Sequence, residues 1–120
     1  VNNHRKNQRR HLVALAQVKD LECGTVLGYI EDLSTSGLML LTDRAFIPGS
    51  TKRVSISFRN PQQGQMNINA TLRIAWQQLI WNSNQETRAQ YKMGCQIVAI
   101  VDADHIALLQ AGSAYGLVSG

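Results

Sequence analysis

Hydrophobic positions along this chain recur mainly at a period of two. The clearest run is Met66, Ile68, Ala70, Leu72, Ile74 and Trp76, with Asn67, Asn69, Thr71 and Arg73 between them. Successive side chains of an extended strand point to opposite faces, so this alternation predicts one long, half-buried strand with Trp76 on its core side. Val54, Ile56 and Phe58, separated by Ser55 and Ser57, predict a second.

Other segments carry the signal less fully. Leu12 to Val18 and Thr25 to Leu33 are apolar or β-branched and flank the polar Lys19 to Gly24, which reads as a hairpin. Leu38 to Leu41 reads as a short strand buried on both faces. Thr42 to Thr51, with Pro48-Gly49, reads as a loop, and Asn60 to Gly64 as a turn. Leu79-Ile80-Trp81 begins or extends a strand, and Asn82 to Thr87 forms a hairpin tip. Tyr91 to Val98 follows as a strand with Tyr91, Met93, Cys95 and Ile97 on one side.

A single helix closes the pattern. Asp102 is placed to cap its free amides, Asp104 lies in its first turn, Ala103, Ile106 and Leu109 share a face, and Gly112 is the expected stop. The tail to Gly120 is rich in small residues and is expected to be loosely ordered. The sum is an all-β fold of six or seven antiparallel strands and a C-terminal helix. A small barrel is its natural closure, because closure removes exposed sheet edges.

Composition supports one globular domain: 120 residues, 44% hydrophobic and 17% charged. No apolar run approaches the roughly 20 residues that span a bilayer, and the basic N-terminus lacks the apolar centre of a secretory signal, so a cytoplasmic setting is expected. Cys23 and Cys95 are expected as free thiols. His4, His11 and His105 share no zinc-like spacing with each other or with the cysteines, and no metal site is expected.

Charge divides the chain more sharply than hydropathy does. His4 to His11 holds Arg5, Lys6, Arg9 and Arg10, four of the twelve basic residues. The other eight balance the eight acidic residues, so the net charge of +4 comes from this segment (12 − 8 = +4; 8 − 8 = 0). Residues 1–11 are therefore read as a flexible basic segment and 12–120 as the barrel with its helix. A second polar cluster, Asp32-Leu33-Ser34-Thr35-Ser36-Gly37, ends the first hairpin. Its Asp and Ser side chains can fold back on nearby backbone, and its Gly allows a positive φ or a close approach by another molecule. An antiparallel return would make Arg9 and Asp32 neighbours across 23 positions of sequence, with the basic segment over the Asp-Ser-Gly turn.

These two motifs, Arg5-x-x-x-Arg9 and Asp32-x-Ser34-x-x-Gly37, together with Tyr91-Lys92-Met93-Gly94 in the last strand, resemble those of the PilZ family, bacterial receptor domains for cyclic di-GMP. The resemblance covers about residues 5 to 111 and implies a PilZ-type barrel. It implies ligand contacts from Arg5, Arg9, Asp32, Ser34 and Gly37. Lys6 and Arg10 share the four-residue spacing, so Arg10 enters the site set by a shift of one register. Trp76 ends its strand where some members present an aromatic to the ligand, although its parity places it in the core. Ile97 stands where the family often has an aromatic in the last strand.

The chemistry is self-consistent. Arg can form paired hydrogen bonds to phosphate or to guanine O6 and N7, while Asp accepts from guanine N1–H and the exocyclic amine. Ordering of the basic segment would pass the signal to a protein effector or fused domain. No cofactor is implied beyond the ligand. The alternative is a PilZ-like interaction module that has lost the ligand. A single-strand nucleic-acid barrel fits less well, since only seven aromatics occur and the excess charge is confined to one segment. Nucleophile and base at a telling spacing are lacking, so no catalysis is expected.

Overall fold

The computed structural model describes residues 16–60, 64–82 and 89–114. Its strands are β1 (Ala16–Asp20), β2 (Val26–Leu33), β3 (Gly37–Thr42), β4 (Thr51–Asn60), β5 (Gly64–Asn82) and β6 (Ala89–Ile100), followed by helix α1 (Asp102–Ala114). Of the six or seven strands expected, the described residues form six, because Leu79, Ile80 and Trp81 extend β5 instead of beginning a new strand. Two antiparallel three-stranded meanders, β1 to β3 and β4 to β6, join at two seams, β3 with β6 and β1 with β4. The cylinder closes in the order β1-β2-β3-β6-β5-β4.

Alternation explains the core. Val54, Ile56 and Phe58 from β4 and Ile68, Ala70, Leu72 and Ile74 from β5 point inward, meeting Val18, Ile30, Leu40 and Met93 from the other strands. β3 alternates as well: Leu38, Leu40 and Thr42 are buried while Gly37, Met39 and Leu41 are half-buried, so this strand is not closed off on both faces as its leucines led us to expect. Only one side of a barrel wall faces the interior.

Strand β1 runs to Asp20, two residues beyond the expected end, because Asp20 is a buried anion that organises the turn. Its Oδ1 accepts a hydrogen bond from the Glu22 amide at 2.8 Å, and Lys52 Nζ lies 3.7 Å from Oδ2. The Glu22 amide, helped by Cys23 and Lys52, holds the Asp20 carboxyl below its ordinary value against the opposing effect of burial. Residues 12–15, expected in this strand, lie outside the described residues, as do 83–88 of the hairpin tip. Pairing of Asn82 with Ala89 brings β5 and β6 together on either side of that tip.

The helix corrects three expectations. Its first backbone hydrogen bond runs from His105 N–H to Val101 O at 2.9 Å, so Val101 is the cap and Asp102 the first helical residue. Asp102 and Asp104 both lie in the first turn, where free amides favour negative charge. The inner face is Leu108, Ala111 and Gly112; Ile106 is 58% exposed and Ala103 is also exposed, while Leu109 is partly buried. Gly112 does not end the helix but is buried within it. Apolar residues surround this helix on most sides, so periodicity alone selected the wrong face.

Candidate functional site

The cluster Asp32 to Gly37 is a strand end, a three-residue turn and a strand start. Asp32 and Leu33 finish β2, Ser34 to Ser36 turn, and Gly37 opens β3. Ser34 N–H and Oγ both donate to Gly37 O, at 2.9 and 3.3 Å, and Asp32 Oδ1 accepts from Leu33 N–H at 3.1 Å. These are the folded-back contacts that Asp and Ser favour at turns. Two further bonds tie the turn down: Ile97 N–H donates to Ser36 O, and His105 Nε2 lies 2.9 Å from Thr35 O. Gly37 is not among the positive-φ glycines. It answers to a close approach by the chain's own β6, since a Cβ at Gly37 would collide with the Cys95 carbonyl.

Two β-bulges aim the side chains. In β2, Ile30 pairs with Leu40 and Asp32 with Met39, leaving Glu31 as the extra residue. Without it, Asp32 would share the inward parity of Ile30; with it, Glu31 and Asp32 are both half-exposed and Leu33 turns inward. In β5, Ile74 pairs with Cys95 and Trp76 with Gly94, leaving Ala75 as the extra residue. Trp76, expected in the core by parity, is instead 43% exposed. Each bulge re-aims the residue that follows it.

Both re-aimed residues line one open depression of about 430 Å³. Its wall comprises Asp32, Leu33, Ser34, Ser36, Gly37, Leu38, Met39, Ala75, Trp76, Gly94, Cys95 and Gln96. The structure thus gathers Asp32, Ser34, Gly37 and Trp76. Asp32 is the one ionisable carboxylate of this lining, which includes no Lys or Arg. Burial pushes the Cys95 thiol up to about 12, which keeps it an unreactive wall group.

Arg5, Arg9 and Arg10 lie outside the described residues. The register Gln17 with Tyr29 and Val18 with Gly28 directs the N-terminal end of β1 toward the Asp32 end of β2, as the hairpin argument expected. Sequence reasoning missed Met39, Gly94 and Gln96 as lining groups and His105 as a partner of the turn. Gly94 stood in the Tyr-Lys-Met-Gly motif; His105 is 70 positions from Thr35 and left no signal.

Among the described residues, no cluster of three or more His, Cys, Asp or Glu could hold a metal ion, and no helix is long and apolar enough to cross a membrane. No curated protein sequence matches the chain. Its structure is similar to that of the "PilZ domain with c-di-GMP of YcgR from Escherichia coli", with a TM-score of 0.57 over 88% of this chain and 83% of that one, at 12% sequence identity. The model of the PilZ domain matches residues 3–113, a span that includes the six strands and all but the last residue of α1. The chain belongs to the PilZ domain family.

Proposed function

We propose that this domain binds cyclic di-GMP in the depression at the β2–β3 turn and acts as a receptor without a catalytic step. The observation that carries this reading is the convergence of Asp32, Ser34, Gly37 and Trp76 on one wall, two of them turned there by bulges. Among the described residues that wall offers a carboxylate, two hydroxyls and an aromatic ring but no cation. A bis-phosphate ligand therefore requires positive charge from elsewhere, and the basic segment precedes β1, whose N-terminal end runs toward this turn.

In this reading Arg5 and Arg9 pair with phosphate or with guanine O6 and N7, with Arg10 substituting if the register moves by one. Asp32 accepts from guanine N1–H and its amine, Ser34 bonds at the rim, and the Trp76 ring stacks on a base. Gly37 keeps the turn seated against β6. Membership of the PilZ family and the cyclic di-GMP in the YcgR neighbour support the choice of ligand. Binding fixes the arginine segment against the barrel and so changes what the N-terminus presents to a protein effector or fused domain in a bacterial cytoplasm.

Calorimetric titration with cyclic di-GMP tests the reading. Parent protein should bind at micromolar ligand, Arg9→Ala should weaken binding at least about tenfold with the fold intact, and Asp32→Ala should weaken it and narrow the preference for guanine over adenine cyclic dinucleotides. Normal binding by Arg9→Ala would move the register to Lys6 and Arg10 or the site elsewhere. Absence of heat with the parent would favour a domain that only docks on proteins.

A further inference from the structure

Gly94 has a peculiar place in β6. It is buried, paired across the strand with Trp76, and a Cβ built on it would overlap Nε1, Cε2 and Cζ2 of the Trp76 indole. The ring therefore lies directly on the β6 backbone, in the space where any other residue would place its side chain. The Ala75 bulge brings the indole to the outer face, and Gly94 lets it lie down there. The same ring forms part of the wall that also holds Asp32 and Ser34.

We propose that Gly94 is a positioning residue of the ligand site: by lacking a side chain it seats the Trp76 indole on β6 and sets the position of the surface on which a purine base stacks. This rests on the cyclic di-GMP reading above and adds a determinant to it. The physical reason is geometric. Stacking needs a ring face held parallel to the base at van der Waals distance, and an indole displaced by a methyl group tilts or moves into the volume the base would fill. A β-carbon at position 94 cannot be accommodated by a small adjustment, because the overlapping atoms belong to the rigid bicycle and not to the end of a flexible chain.

The test uses a Trp81→Phe background, which leaves Trp76 as the sole tryptophan of the chain. Two quantities are read: the emission spectrum and acrylamide quenching of Trp76 without ligand, and the Kd for cyclic di-GMP by calorimetry. Gly94→Ala is expected to shift Trp76 emission, raise its quenching and weaken binding about tenfold. Combined with Trp76→Ala, the same Gly94→Ala change should add little further loss, because its effect passes through the ring. Trp76→Leu keeps an apolar side chain but ends before the atoms that the new methyl group would overlap, so Gly94→Ala should also cost little there, and this pair guards against a variant that fails to fold.

An equal loss from Gly94→Ala with and without the indole would overturn the proposal, as would unchanged emission, quenching and affinity. A background protein that does not bind cyclic di-GMP would refute the ligand reading instead. In that case the emission and quenching alone decide whether Gly94 seats the indole.

Discussion

At the scale of single residues, two of the bulges that interrupt simple alternation involve candidate ligand groups. Asp32 and Trp76 stand at core parity in their strands, and each is turned outward by one inserted residue, Glu31 or Ala75. A bulge leaves no composition signal, since Glu31 and Ala75 are ordinary strand residues by type. Parity therefore gave the wrong environment for Trp76, while Asp32 was legible through the turn chemistry of Asp32 to Gly37 and not through parity. Asp20 shows what burial of a carboxylate requires. It is buried and meets the Glu22 amide and Lys52, and its carboxyl is held below its ordinary value chiefly by the Glu22 hydrogen bond.

A lowered folded-state value means that ionised Asp20 favours the native state. This contribution is complete above the unfolded value of about 3.9 and fades as pH falls through the lower folded value. Asp20→Asn is therefore expected to destabilise the domain by about 1–2 kcal/mol near neutral pH. The difference from the parent should shrink as the pH drops below about 4, as read by urea unfolding across that range. A gap that widens in acid would contradict the assignment.

At the scale of elements, the strands were legible and the helix face was not. Alternation in β4 and β5 reflects a wall with one wet side, and such a wall writes its parity into the sequence. Helix α1 is short and apolar on several sides, so its orientation was chosen by the fit of Leu108, Ala111 and Gly112 and by a polar contact no periodicity encodes. That contact is His105 with the Thr35 carbonyl, which ties the helix to the turn bearing Asp32 and Ser34. His105→Ala removes one hydrogen bond and is expected to cost about 1 kcal/mol of stability, with faster amide hydrogen exchange in the residues of the turn. His105→Gln, which retains a donor, should recover part of the loss. If exchange in the turn is unchanged in His105→Ala, the helix does not restrain it.

At the scale of the whole molecule, closure of the barrel decides where chemistry can gather. The β2–β3 turn, the Ala75 bulge of β5 and the Gly94 position of β6 are remote in sequence, yet the β3–β6 and β5–β6 seams bring them to one wall. The Asp32 to Gly37 motif could be read from the chain because it lies within a single local return, whereas Arg5, Arg9 and Arg10 lie outside the described residues. Gly94 and Gln96 on the other side of the wall could not, because their place depends on the order in which non-consecutive strands pair, and Trp76 entered only through the family resemblance.

If cyclic di-GMP occupies this wall as proposed, chemical-shift mapping of the labelled domain will locate it there. Addition of micromolar ligand should move the backbone amides of Asp32 to Gly37, the Gly94 and Gln96 amides and the Trp76 indole N–H, and leave Leu21, Arg53 and Val101 around a separate depression unmoved. Shifts centred on Leu21, Arg53 and Val101, or no shifts at saturating ligand, would contradict the proposal.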